Sequence, residues 1–252
     1  MSPLSAQGQA VPHARGMTRR ARRWLGWGAA VAVIVLFCAL GRWQLARMHE
    51  KQAMLDAVNA VLAQRRALPL AAAEGANARG YDWATGAGRF ADAPAVLLDN
   101  QSRGGRPGVR AYRLFLPLRS PPLLVELGWL PLPGDRTLPA IAPLPGAREI
   151  SGLLLPPPSP GLAAAVASPQ AGGTILATAL DAPELPRLLG LQALPPRVLR
   201  LDPALPPRYA RDLDILPNTL PPERHLGYAV QWFALAAAVL ATALLLTFRR
   251  RR

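Results

Sequence analysis

Cysteine is almost missing from this chain: among 252 residues only Cys38 carries a thiol. No disulfide can form within the chain. No Cys-x-x-Cys or Cys-x-x-x-Cys pair exists either, which excludes thiol oxidoreductases and thiol-based copper carriers. Cys38 lies inside an apolar run and reads as a small apolar filler. Lysine is equally scarce, with Lys51 alone among 29 basic residues; alongside the abundant Ala, Pro and Leu, this is a matter of composition and not of mechanism. Histidine occurs three times, at His13, His49 and His225. Catalytic signatures are lacking: there is no P-loop, G-x-S-x-G, H-E-x-x-H or nucleophilic cysteine context. Asp99 and Glu126 read as isolated surface or strand-end acids, not as an acid/base pair. The chain is expected not to be an enzyme.

Acidic residues are few as well, 15 against 29 basic ones, for a formal charge of +14. So large an excess suggests nucleic acid, but its distribution argues against that partner. Nine arginines sit in tails without acids: Arg15, Arg19, Arg20, Arg22 and Arg23 at the start, Arg249 to Arg252 at the end. The middle is then only about +5, and the tail arginines abut two uncharged apolar runs. The first, about Trp24 to Leu40, reads WLGWGAAVAVIVLFCAL; the second, about Tyr228 to Phe248, reads YAVQWFALAAAVLATALLLTF. A membrane-spanning helix needs roughly 20 apolar residues, with a lower limit of about 17. Both runs qualify. Arginines beside each place both termini in the cytoplasm by the positive-inside rule, and the middle outside it. Membrane lipid is therefore a partner, with anionic headgroups attracted to the tails. A cleaved signal peptide would end in an A-x-A-like site. Here Leu40 to Gln44 run straight into a helical pattern, which favours a retained anchor.

Between the spans the organisation is mixed. Residues 1–18 read as a disordered cytoplasmic tail. Leu45, Met48, Leu55, Val58 and Leu62 recur at helical spacing, so the first helix extends beyond the membrane to about Ala67, before Leu68-Pro69. Strand candidates follow at Ala95 to Asp99, Tyr112 to Leu118, Leu123 to Leu132, Ile150 to Leu155, Thr174 to Leu180 and Val198 to Leu201. Their close spacing favours antiparallel pairing, in a twisted sheet or small barrel. Leu154 to Gly173 reads as a loop or insertion, and the prolines from Pro203 to Pro222 make the approach to the second span irregular. The expected class is an α+β membrane protein: two transmembrane helices, N- and C-terminal, flanking a β-rich antiparallel extracytoplasmic domain. The expected divisions are 1–18 tail, 19–67 first helix with its extension, 68–222 β-rich periplasmic domain, and 223–252 second helix with its basic tail.

Two constellations stand at the inner ends of the spans. His225, Tyr228 and Trp232 fall at i, i+3 and i+7 and share one helix face. That face reads either as an interfacial aromatic belt or as a ligand face, since a neutral imidazole is a common haem-iron ligand. Beyond the first span, Trp43 adjoins Gln44, Arg47 and Lys51, the last three on one face. This set reads either as interfacial snorkelling or as a surface for a phosphate or porphyrin propionate.

These residues fall within stretches that resemble the surfeit locus protein 1 family of cytochrome c oxidase assembly factors. LGRWQLARMHEK (Leu40 to Lys51) is similar to the family's G-x-W-Q-x-x-R-x-x-x-K signature. LLDNQSRGGRPGVRAYRLFLPLR (Leu97 to Arg119) resembles its Gly-rich turn and following strand. LLVELGWLP (Leu123 to Pro131) resembles its strand around Gly-Trp, with Leu127 where the family usually has arginine. NTLPPERHLGYAVQWFALA (Asn218 to Ala236) resembles its approach to the second span, with Arg224 where asparagine is usual. The resemblance implies a multi-pass protein of the bacterial inner membrane that assists haem a delivery to oxidase subunit I. Haem a synthase is then a further partner. It makes His225 the haem-iron ligand and Tyr228, Trp232, Trp43, Gln44 and Arg47 the candidate residues around it. A cofactor-free chaperone or scaffold for an oxidase subunit, or an envelope sensor unrelated to respiration, are the other readings.

Overall fold

The computed structural model describes residues 18–75, 80–158, 164–207, 209–215 and 220–249. The tail read as disordered, with His13, falls outside them except for Thr18. Helix α1 (Arg19–Gln64) has 46 residues. At ~1.5 Å per residue it is about 70 Å long, more than twice a ~30 Å hydrocarbon core. It ends three residues before the proline stop expected at Leu68-Pro69. The turn comes at Arg65, whose φ is +42° and whose N–H still donates to the Val61 carbonyl at 2.8 Å. Helix α3 (Pro222–Arg249) begins on a proline with Glu223 in its first turn, the arrangement a helix N-terminus favours. Only 6% and 11% of the most apolar windows of these helices are buried. That rules out the core helix of a soluble domain: Leu25, Val35, Val230 and Leu245 all face outward and need a lipid environment. One compact unit holds α1 up to Glu50 together with α3; the other runs from Lys51 to Leu220.

The second unit is built on nine strands among the described residues. They are β1 (Leu68–Pro69), β2 (Asp82–Phe90), β3 (Ala95–Arg103), β4 (Arg106–Pro117), β5 (Leu123–Pro131), β6 (Ala147–Leu155), β7 (Ala167–Pro169), β8 (Thr174–Ala177) and β9 (Val198–Leu201). A short helix α2 (Leu185–Leu188) precedes β9. The strands lie in the order β1-β2-β6-β9-β5-β4-β3-β8-β7, and β2 also pairs with β4. That extra pairing, Gly88 opposite Pro117 to Phe90 opposite Phe115, closes a five-stranded ring, β2-β6-β9-β5-β4. The expected β-rich domain with antiparallel pairing is present, but β1–β2, β3–β8 and β5–β9 are parallel, so the sheet is mixed. The loop expected over Leu154 to Gly173 contains β7, and residues 159–163 lie outside the described set.

Alternation sorts side chains into two cores. Ala84, Val109, Val125, Leu127, Ile150 and Leu199 come from all five ring strands and fill the interior. Val96, Leu114, Leu124, Ile175 and Val198 belong to a second core against the ring's outer face, completed by Leu185 and Leu189. β2 is glycine-rich for a spatial reason. A Cβ at Gly88 would strike the Phe115 ring and the Leu116 carbonyl, and one at Gly86 would lie 2.8 Å from Leu70 Cδ1. Their bareness lets large neighbours occupy the narrow interior. Outside the ring, Val58 of α1 packs with Trp83 and Leu153, and Arg65 stacks over Trp83 at 4.6 Å. Buried Lys51 donates to the Leu220 carbonyl at 2.7 Å.

Glu126 is not the surface or strand-end acid that its isolation in sequence suggests. It is 1% exposed, and its cross-strand neighbours in register are Tyr112 on β4 and Arg200 on β9. Arg200 Nε donates to Oε2 at 3.0 Å, Tyr112 donates to the same oxygen at 3.1 Å, and Arg110 pairs with Oε1. Arg200 also donates to the Asp214 carbonyl, and Arg211 to those of Leu127 and Leu205. The irregular segment before α3 is thereby clasped to the ring. Burial pushes the Glu126 pKa up, but Arg200 and Arg110 outweigh it and hold the carboxyl below its usual value. Burial, then the Glu126 charge, pushes the Tyr112 phenol well above its own.

A carboxyl depressed in the folded state stabilises above its unfolded pKa and loses that contribution as pH falls through the folded value. Wild-type stability should therefore drop below about pH 4, as read by tryptophan fluorescence in urea. Glu126→Gln should be about 3–5 kcal/mol less stable at neutral pH, because two guanidinium groups lose their buried counter-charge. It should also lack this step in the acid limb.

Candidate functional site

In the helical unit, α1 and α3 run antiparallel. Gln44 meets His225, Phe37 meets Trp232, Gly41 meets Phe233 and Trp27 meets Thr247, so numbers rising on one helix fall on the other. The apolar contacts come first in the packing. Phe37 and Trp232 lie with ring centroids 5.4 Å apart, tilted by 38°. Gly41 is buried beneath the Phe233 ring, where an added Cβ would lie 2.7 Å from the nearest ring atom. A bare backbone at this point is what lets two helices approach closely in a membrane.

One turn beyond Gly41, the helices exchange a polar contact. His225 Nδ1 and Gln44 Oε1 are 2.7 Å apart. An amide oxygen can only accept, so Nδ1 is the donor in this contact. The imidazole is 7% exposed. Its ring is oriented by a side chain 181 residues away.

The other expected site residues distribute unevenly. Trp232 lies on the helix-helix contact, whereas Tyr228 is 39% exposed and Trp43 is 55% exposed. Arg47 is engaged by Glu50 at 2.6 Å on the exposed surface of α1. Thus Gln44 and His225 come together directly, with Trp232 two turns along the same contact. His49 is exposed. Among the described residues no three His, Cys, Asp or Glu side chains gather to hold a metal ion. Sequence reasoning did not single out Phe37, Gly41 and Phe233, which set the helix spacing. The signal available was the glycine two positions before Trp43, on the face that leads to Gln44.

The family model of the SURF1 family matches residues 31–237, from the first helix through the ring to the second helix. The chain belongs to the SURF1 family. SURF1-family proteins are cytochrome oxidase assembly factors and not enzymes. Comparison with curated proteins gave no match. The matched region reaches into both helices, so Gln44 and His225 lie inside the family's own extent, as do all four residues of the Phe37–Trp232 and Gly41–Phe233 contacts. In this SURF1-family chain the site is a closely packed pair of helices with one oriented imidazole in its contact.

Gly41→Leu should be destabilised by about 1–3 kcal/mol through overpacking against Phe233, measured by thermal unfolding of the detergent-solubilised chain. Gly26→Leu, where an added Cβ meets nothing within 4 Å, should not be destabilised.

Proposed function

We propose that the chain assists assembly of a haem-copper cytochrome c oxidase by holding haem a and presenting it to subunit I, with His225 as the axial ligand. The observation that supports this reading is the 2.7 Å contact between His225 Nδ1 and Gln44 Oε1. Metal-binding histidines characteristically donate their second ring N–H to an oxygen, which fixes the tautomer and raises the basicity of the ligating nitrogen. The donor chemistry therefore fits a haem iron. Haem a is cargo here and supplies no chemistry to this chain. The imidazole is almost fully covered, so the neighbouring side chains have to move aside before Nε2 is reached. A single, covered ligand suits a carrier that must release what it holds. Tyr228, Trp232 and Trp43 supply aromatic surface for the porphyrin. Arg47 supplies a cation for a propionate by exchanging its exposed Glu50 partner, a pair worth at most about 1 kcal/mol.

The same reading sets the protein in a bacterial inner membrane, with both termini cytoplasmic, the ring domain periplasmic and haem a synthase as the donor partner. The arginines at both ends and the antiparallel run of α1 and α3 support that orientation. The close covering of His225 favours a second reading, in which the Gln44 contact is polar glue between helices, of the order of 0.6 kcal/mol, in a cofactor-free chaperone for an oxidase subunit.

The visible spectrum of the purified protein, co-expressed with haem a synthesis, separates the two. A haem a spectrum is expected in wild type, absent from His225→Ala and about 10–100-fold weaker in affinity in Gln44→Leu. Co-purification of subunit I without haem absorbance, in a folded wild type, supports the chaperone instead. A reporter active only in the periplasm should work when inserted at Gly134 and fail at either terminus.

A further inference from the structure

We propose that the groove between α1 and α3 at their arginine-bearing end is a binding site for one anionic phospholipid. It encloses about 610 Å³, within the roughly 300–1,000 Å³ of small-molecule sites. Arg22 and Arg23 line one part of it, Gly26 and Ala30 form one wall, and Ala238 and Thr242 stand on the other. Small facing residues normally let membrane helices close on each other, as Gly41 does beneath the Phe233 ring further along. Here they leave a gap instead: a Cβ at Gly26 would meet nothing within 4 Å. The Trp27 indole N–H, donating to Thr247 Oγ1 at 3.1 Å, ties the two helices together beside the groove.

An unfilled apolar groove forfeits dispersion contacts along its lining, and in a bilayer the molecule at hand to fill it is a lipid chain. The charge selects the headgroup. The lining holds two arginines and no acidic residue, and guanidinium groups bind phosphate oxygens in paired hydrogen bonds. Basic pockets between spanning helices on the cytoplasmic side recognise anionic headgroups in this way. The groove is not the imidazole site seen from another side, because Gly26 and Gln44 are about 27 Å apart along α1. The inference rests on the two helices lying in a membrane and is independent of the oxidase reading.

Native mass spectrometry of the full-length chain, released from detergent with dioleoyl phosphatidylglycerol or phosphatidylcholine, tests it. Wild type should retain one phosphatidylglycerol in preference to phosphatidylcholine, and millimolar inorganic phosphate should not displace it. Arg22→Gln/Arg23→Gln should bind it about 30-fold more weakly. Gly26→Leu, which fills the groove and keeps every charge, should abolish the preference while helix content by circular dichroism is unchanged. Arg20→Gln/Arg249→Gln removes the same amount of charge from arginines at the same end of the helices that do not line the groove, and should bind as wild type. Equal loss in that control pair, retained binding in Gly26→Leu, equal retention of the two lipids, or displacement by phosphate would each overturn the proposal.

Discussion

Two guanidinium groups and a phenol surround the Glu126 carboxylate in the wall of the ring, and the order of the ring domain follows from that contact. Glu126 sits on β5, Arg110 and Tyr112 on β4, and Arg200 on β9. Three adjacent strands are thereby fixed in register at one point. A one-residue slip of any of them would turn its charged group toward the apolar interior and leave the others uncompensated. Arg200 then reaches the Asp214 carbonyl, and Arg211 two further carbonyls, so the proline-rich return segment is held to the ring. A chain with one cysteine uses arginine as its internal cross-link. The guanidinium fork, with five donors, suits that role better than the ammonium group of lysine.

The helical unit is held together on different terms. Its outer surface is apolar and its contact is made by close backbone approach at Gly41, ring packing of Phe37 on Trp232, and two polar contacts, Trp27 with Thr247 and His225 with Gln44. In a membrane an imidazole without a partner is costly. Gln44 offsets that cost by accepting a hydrogen bond from Nδ1. Under the proposed function, the contact that stabilises the pair of helices would also orient His225 as a ligand.

The legible features were those written in consecutive residues. The spans follow from uninterrupted apolar runs, and β3 to β6, β8 and β9 follow from short Leu/Val/Ile-rich segments between turn residues. β2 was not legible, because DWATGAGRF is small and glycine-rich and has the composition of a turn. It is nonetheless the strand that closes the ring, and the glycines are there because Phe115 and Leu70 take the space their side chains would need. Glu126 was misread for a related reason: its partners lie 14, 16 and 74 residues away, and no local pattern announces them. His225 and Gln44 were each visible as residues on a helix face near a span. Their contact was not, since nothing in either face specifies which residue stands opposite.

Length, hydropathy and charge by themselves determined that this chain has two helices long and apolar enough to span a membrane around a β-rich domain, because each of these properties is local and sums along the chain. The family followed from the order of four short segments. Tertiary structure alone decided the closed ring, the burial of Glu126 between arginines, the contact of His225 with Gln44 and the groove beside Arg22 and Arg23. All four depend on which surfaces meet, and that is settled only when the whole chain packs at once.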